Sequence, residues 1–99
     1  LFVGQTSSFA DVLFCPMDEE AISYCLPLAN ICREKGFKTE IYPNTSKLKK
    51  QLDYANSKNI KWAVIVGESE IEKGEVSIKN LVDGNQQTSD IEKFLDLIH

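Results

Sequence analysis

Residues 62–66 read WAVIV, an uninterrupted apolar run that is rich in β-branched side chains. Residues 12–15 (VLFC) form a second apolar run nearer the start of the chain. Runs of this length and composition are typical of strands that are buried on both faces of a parallel sheet. Between them, residues 38–42 (KTEIY) alternate polar and apolar side chains, which predicts a strand at the sheet edge with one face in solvent.

Two helices are predicted to connect these three strands. Asp18 can cap the first, over residues 19–35, whose apolar side chains recur at the spacing of one buried face. Ser46 can cap the second, which reaches about Lys58. Right-handed crossovers place both helices over the sheet, and the apolar pattern of the strands predicts the parallel order 2-1-3.

The last third of the chain changes character. Residues 75–81 (EVSIKNL) alternate, residues 83–84 (DG) indicate a turn, and residues 86–88 can form a short returning strand. A capping box of Ser89 and Glu92 then predicts a closing helix. The prediction is an α/β domain of three layers, in which a mixed five-stranded sheet, with a parallel 2-1-3 core and a C-terminal hairpin, packs with three helices.

The length of 99 residues fits one domain with its own core. Residues 1–10 open with Leu1 rather than Met and show no period, so they are interpreted as the remnant of an interdomain linker, and residues 11–99 as the domain. No apolar run approaches the roughly 20 residues that span a bilayer, and no basic segment precedes an apolar one as in a signal peptide. We therefore expect a soluble, cytoplasmic protein without a membrane partner.

The residues of nucleophilic catalysis are scarce. Cys15, Cys25 and Cys32 are an odd number at spacings that match neither a disulfide framework nor a zinc site, which indicates reduced cysteines in the core. His99 is the only histidine and stands at the end of the chain, so a serine–histidine or cysteine–histidine pair cannot be built around a central imidazole. We expect no catalytic residue in this chain.

Acidic residues occupy the place where a ligand would bind an open parallel sheet, beyond the carboxyl ends of strands one and three. Residues 15–18 (CPMD) and 67–70 (GESE) are not glycine-rich phosphate loops, and their carboxylates argue against a nucleotide cofactor. A phosphoacceptor receiver domain would need an aspartate at the end of strand three, where this chain has none. Glu68, Glu70 and Glu72 could bind a divalent cation, but a solvated turn explains them more simply.

Positive charge is concentrated in one part of the chain. Residues 33–61 hold eight basic and three acidic residues, a net +5, whereas the rest holds three and twelve, a net −9. Within the basic part, Lys47, Lys49 and Lys50, here named the lysine turn, crowd the first turn of a predicted helix, where the helix dipole disfavours positive charge. A bound phosphate backbone would explain them, and a helix face kept basic for solubility is the alternative that charge alone leaves open.

Five motifs resemble the C-terminal anticodon-binding domains of histidyl-tRNA synthetases, which are class II aminoacyl-tRNA synthetases. They are residues 46–51 (SKLKKQ), 54–55 (YA), 64–70 (VIVGESE), 73–76 (KGEV) and 78–81 (IKNL). The resemblance covers residue 11 to about residue 97. It implies a mixed five-stranded sheet with three helices, a fold shared with the threonine, proline and glycine enzymes, which agrees with the fold predicted from the pattern.

The resemblance also implies a site. In this family the segment after strand three and the following strand face the anticodon loop, so Glu70 and Lys79 are the implied base readers, with Glu68 in the same segment. A carboxylate accepts hydrogen bonds from base amino groups, and an ammonium donates to carbonyl or ring-nitrogen acceptors. The threonine enzyme has arginine where Lys79 stands, so a bidentate contact is not expected here. The lysine turn would hold the phosphate backbone without reading sequence.

A parent enzyme is implied as well. In it, an N-terminal catalytic domain would use ATP and Mg to join histidine to tRNA(His) and would form a homodimer. None of the motifs of that catalytic domain occurs in this chain. The present domain would bind the anticodon loop and would need no cofactor. Two other functions remain open at this point. One is a tRNA-sensing or accessory domain of a synthetase-like regulatory protein without aminoacylation activity. The other is a protein-interaction module with a flavodoxin-like core, which would expose an apolar patch.

Overall fold

The computed structural model describes residues 11–42 and 47–98, and the side chains of all of these except Leu97 and Ile98. The strands are β1 (Val12–Pro16), β2 (Thr39–Ile41), β3 (Trp62–Val66), β4 (Val76–Asn80) and β5 (Gln86–Ser89). They form one sheet in the order β2-β1-β3-β4-β5. Because β2, β1 and β3 run parallel and β4 and β5 are antiparallel, the predicted 2-1-3 core, the edge position of β2 and the added hairpin are confirmed. The expected solvent face of β2 was wrong, because Ile41 packs on one core and Tyr42 on the other.

Helices cover both faces of the sheet. They are α1 (Glu19–Glu34), α2 (Leu48–Ser57), α3 (Glu68–Lys73) and α4 (Ile91–Ile98). The helices α1 and α4 pack on one face, named here the α1 face, and α2 packs on the other, the α2 face. The predicted three-layer architecture is therefore confirmed.

The two central strands supply both cores. On the α1 face, Val12 and Val64 are buried with Phe94 of α4. On the α2 face, Leu13 and Ala63 are buried against α2. Successive side chains of a strand point to opposite faces, so a strand covered on both sides must be apolar throughout. This is why β1 and β3 appear in the sequence as unbroken apolar runs.

The predicted cap of α1 is confirmed. The side chain of Asp18 accepts a hydrogen bond of 2.8 Å from the backbone N–H of Ala21, which satisfies a donor that the helix itself leaves open. After the helix, Gly36 has a φ of +98°, a conformation that side chains with a Cβ rarely adopt. At α2 the predicted cap, Ser46, lies outside the described residues, and Lys47 is the residue that precedes the first helical turn.

The expectation of three helices was wrong, because residues 68–73 form a fourth, α3. A carboxylate oxygen of Glu70 accepts a hydrogen bond of 2.7 Å from the backbone N–H of Gly67, and Gly74, with a φ of +68°, ends the helix. Only Ile71 is apolar among the six residues. A helix this short and polar shows no amphipathic period, so it could not be distinguished from a solvated turn.

The predicted capping box before α4 was also wrong. Ser89 is the last residue of β5, and its hydroxyl donates to the carbonyl oxygen of Asp90. Asp90 is the residue that caps α4, since its carboxylate accepts a hydrogen bond of 2.8 Å from the backbone N–H of Lys93. The aspartate next to Ser89 competes for the same role and places the start of the helix one residue later.

The three cysteines are free and fully buried, as predicted. Burial raises the pKa of Cys15 and of Cys25 to about 12, and that of Cys32 to about 11. At neutral pH these thiols are therefore protonated, a form that is neither a good nucleophile nor a good metal ligand. Residues 1–10, interpreted above as a linker remnant, lie outside the described residues. Within the described part of the chain, no helix combines the length and apolar character that crossing a bilayer requires.

Candidate nucleic-acid interface

The lysine turn lies at the N-terminal end of α2. Lys47, Lys49 and Lys50 are all exposed, and the carbonyl oxygen of Lys47 accepts a hydrogen bond of 3.0 Å from the backbone N–H of Lys50. No acidic residue occupies this first turn. Three ammonium groups therefore add to the positive end of the helix dipole, and together they form a surface suited to phosphate groups.

A buried glutamine, which was not among the predicted site residues, attaches this turn to the sheet. Gln51 is fully buried, and its Nε2 donates a hydrogen bond of 3.0 Å to the carbonyl oxygen of Pro16, the last residue of β1. The lysine turn is thereby held beside the carboxyl ends of the parallel strands. The signal in the sequence was a polar side chain in an otherwise apolar helical stripe with Leu48 and Ala55.

Tyr54 provides a second attachment of α2, to the edge strand. Its hydroxyl donates a hydrogen bond of 3.1 Å to Oε1 of Glu40 in β2, and its ring packs edge-to-face against Tyr42. Desolvation raises the pKa of Tyr54, and the hydrogen bond to Glu40 raises it further. The hydroxyl is therefore a donor over the whole physiological pH range, and α2 is attached to both β1 and β2.

Glu70 occupies the third position of α3 and is held at both carboxylate oxygens. Its Oε1 accepts from the backbone N–H of Gly67 at 2.7 Å, and its Oε2 accepts from the hydroxyl of Ser77 at 3.0 Å. A Cβ at position 67 would lie 3.2 Å from Oε1, so the glycine leaves the space that this carboxylate uses. A carboxylate has about four acceptor positions, which leaves Glu70 free to accept further hydrogen bonds from a ligand.

Lys79 lies on β4, on the α2 face of the sheet. Ser77 is on the same face, about 7 Å away along the strand. The register pairs Lys79 with Gln86 and Ser77 with Thr88 of β5, so these four side chains share one surface, which we name the hairpin face. Lys79 is half-buried, whereas the two β5 side chains are exposed. The hairpin face presents hydroxyl, amide and ammonium groups to solvent.

Glu68 has different surroundings from Glu70. It is exposed in the first turn of α3 and lines a depression of about 530 Å³ together with Asp18, Glu20, Glu72 and Ile71. Four carboxylates in one depression create a negative potential that disfavours phosphate. The proposed contact of Glu68 with nucleic acid therefore stays a prediction, and its position favours it less than that of Glu70.

The structure thus brings the candidate residues into two groups. Glu70 and Lys79 are joined through Ser77, which hydrogen-bonds the first and is the same-face neighbour of the second. The lysine turn is the second group, held at the end of β1 next to β3. Among the described residues, no group of three or more histidine, cysteine or acidic side chains is placed to bind a metal ion. The arrangement can hold phosphates and form hydrogen bonds with bases.

Comparisons of the sequence with known proteins agree on one family. A family model described as anticodon binding domain matches residues 11–99. The chain is 42% identical over 86 residues to a histidine–tRNA ligase of Cytophaga hutchinsonii, which covers 87% of this chain and 19% of the relative. It is 36% identical over 98 residues to the histidine–tRNA ligase of Phocaeicola vulgatus, covering 99% of this chain and 22% of the relative. The chain spans about a fifth of the length of these curated relatives.

Solved structures show the same fold. A histidyl-tRNA synthetase from Nostoc sp. PCC 7120 superposes with a TM-score of 0.85 at 25% identity, over 90% of this chain and 21% of that one. The RNA binding domain of threonyl-tRNA synthetase from Cryptosporidium parvum superposes with a TM-score of 0.80 at 12% identity, over 86% of this chain and 22% of that one. The second likeness concerns the fold alone.

Proposed function

This chain belongs to the anticodon-binding domain family, and we propose that it binds the anticodon loop of tRNA(His) as the C-terminal domain of a histidine–tRNA ligase. The observation that carries the proposal is that the lysine turn belongs to the helix packed on the α2 face of the sheet, and that Lys79 and Ser77, the hydrogen-bond partner of Glu70, lie on that same face. One face of the domain thus carries a positive surface for the backbone and a polar surface for bases, which is the combination that a single-stranded RNA loop requires.

The two groups have different roles in this proposal. The lysine turn neutralises phosphates and sets the position of the loop, a contribution that does not depend on base identity. Lys79 donates to a carbonyl or ring-nitrogen acceptor of an unstacked base, and Glu70 accepts from a base amino or imino group. Glu68 and Glu70 also exclude phosphate from their own surroundings, so the negative charge of the chain helps to orient the loop.

The rest of the function belongs to the parent protein. We propose that an N-terminal catalytic domain activates histidine with ATP and Mg, forms a homodimer, and receives the tRNA that this domain positions in the cytoplasm. Residues 1–10 would be the linker to it and residues 11–99 the binding domain, which contributes discrimination and no chemistry of its own. The curated relatives support a ligase over a tRNA-sensing or accessory protein, because those cited above are named histidine–tRNA ligases.

Changing all three residues of the lysine turn to glutamine is expected to weaken binding of a tRNA(His) anticodon stem-loop by a similar factor whatever the anticodon. The slope of log affinity against log salt should fall by about 2, since each single-strand phosphate contact contributes about 0.7. Fluorescence anisotropy titrations across a salt series measure both quantities. A matched control removes the same amount of positive charge elsewhere on the surface, by changing the exposed Lys35, Lys73 and Lys93 to glutamine. If the control variant lost as much affinity and slope as the lysine-turn variant, local phosphate binding would be ruled out.

A further inference from the structure

The hydrogen bonds of Glu70 are unusual for a glutamate on a surface helix. A glutamate side chain has three rotatable bonds, and ordering it costs on the order of 1.5–2 kcal/mol of conformational entropy. Here both oxygens are already bonded within the domain, one to the backbone at Gly67 and one to the hydroxyl of Ser77. The capping bond alone would explain one oxygen, since it stabilises the start of α3. The bond to Ser77 connects α3 to β4 and needs a separate explanation.

Ser77 is poorly placed to contact a ligand itself. Its residue is only 8% exposed, between Ile65 of β3 and Thr88 of β5 in the sheet register. Its hydroxyl donates to a carboxylate oxygen, which can only accept. The hydroxyl therefore acts on Glu70, whose side chain is the more exposed of the two.

We propose that Ser77 is a positioning residue that holds the Glu70 carboxylate at the hairpin face, so that its remaining acceptor positions are directed at an unpaired base. This inference rests on the proposed function, because it specifies how Glu70 discriminates bases. A carboxylate fixed at two points loses less freedom when a base binds than one that must be ordered by the base. Its partner Ser77 shares the hairpin face with Lys79, so that an acceptor and a donor are offered to the RNA from one region of the sheet.

Gly67 also helps to hold the Glu70 carboxylate in place. A side chain at position 67 would press on Oε1 of Glu70 and on Met17, with contacts of 3.2 and 3.5 Å to a Cβ. The absence of a side chain lets the carboxylate lie against the backbone while its second oxygen reaches Ser77. Gly67, which follows β3, and Ser77 of β4 thus determine the orientation of the Glu70 carboxylate that α3 carries.

The test is a double-mutant cycle on the 99-residue chain with Ser77→Ala and Glu70→Ala. The quantity measured is the discrimination ratio, the Kd for a stem-loop with a permuted anticodon divided by that for the native tRNA(His) stem-loop. We expect Ser77→Ala to lower this ratio about threefold to fivefold, roughly the net effect of one ordinary hydrogen bond. In the Glu70→Ala background the same change should lower it no further. Ser77→Thr, which keeps the hydroxyl, should retain most of the ratio, and Ser69→Ala, on the exposed side of α3, should leave it unchanged.

The possible results separate a positioning role of Ser77 from a loss of stability and from a failure of the proposed function. Denaturant unfolding of every variant shows whether binding is measured on folded protein. A loss of stability alone would lower the affinity for both stem-loops by the same factor and leave the discrimination ratio unchanged. If Ser77→Ala lowers the ratio equally with and without Glu70, Ser77 does not act through Glu70 and the proposal is wrong. It is also wrong if the native chain discriminates anticodons and Ser77→Ala discriminates equally well. If the native chain itself does not discriminate, the proposed function fails, and the inference that rests on it fails with it.

Discussion

Replacing Lys79 with alanine is expected to lower the affinity for the native tRNA(His) anticodon stem-loop about tenfold, and to change the affinity for a permuted anticodon much less. The physical reason is that Lys79 supplies the ammonium group of the hairpin face, which also contains Ser77, the hydrogen-bond partner of Glu70. A base-edge contact contributes about 1–3 kcal/mol of discrimination, and a single donor falls near the lower end of that range. Parallel titrations of both stem-loops at one salt concentration measure the difference.

Two further variants separate the contact from charge in general. Lys61→Ala removes one exposed lysine immediately before β3, where its Nζ lies 5.3 Å from the ring centroid of Trp62, and should change the discrimination ratio little. Lys79→Arg keeps the charge but replaces a compact donor by a planar fork, so native affinity should fall less than in the alanine variant. Equal losses for native and permuted loops in Lys79→Ala would show that Lys79 contacts phosphate and reads no base.

Replacing Phe94 with alanine is expected to destabilise the domain by about 3–5 kcal/mol, the usual cost of removing a fully buried aromatic ring. Phe94 is fully buried on the α1 face and packs edge-to-face against Trp62, with ring centroids 5.9 Å apart. Its removal leaves a cavity where α4 closes the core over β3. Domains of this size are stable by about 5–15 kcal/mol, so the loss is a large part of the total. Thermal unfolding should show a melting temperature lower by roughly 15–30 °C.

Lys93→Ala is the matched control, because Lys93 is the exposed neighbour of Phe94 in α4. Its effect on unfolding should stay within about 0.5 kcal/mol. A Phe94→Ala variant that unfolds at the temperature of the unmodified chain would mean that α4 does not close the core in solution. The experiment also gives the stability margin within which all binding variants must be interpreted.

The sheet could be predicted from the sequence because the number of buried faces of each strand determines its pattern of apolar side chains. WAVIV and VLFC are covered by helices on both faces, and the alternating strand is β2 at the edge. The fourth helix could not be predicted, since α3 is determined by a glycine backbone group and the Glu70 carboxylate. Such a cap leaves no apolar period, and propensity alone does not separate a single polar helical turn from a loop.

The candidate site could be derived from the residues themselves only in part, for a related reason. The lysine turn could be found from the sequence because three lysines stand at the start of a predicted helix, where the helix dipole disfavours positive charge. The assignment of Glu70 and Lys79 as base readers came from the resemblance to a family and not from their own chemistry. Gln51 and Ser77 were missed because their partners are distant in sequence or in another element. Gln51 hydrogen-bonds Pro16, 35 residues earlier in the chain, and Ser77 reaches Glu70 across a turn. Contacts of this kind arise only when the chain is folded.

The most direct test of the central claim is the discrimination ratio of the unmodified chain itself. Fluorescence anisotropy would give the Kd for a tRNA(His) anticodon stem-loop and for the same stem-loop with its three anticodon bases permuted, at one ionic strength. If Glu70 and Lys79 read bases, the native loop should bind at least about tenfold more tightly, the equivalent of one or two base contacts. Equal affinities for the two loops would contradict anticodon recognition and leave a domain that binds RNA only through its lysine turn.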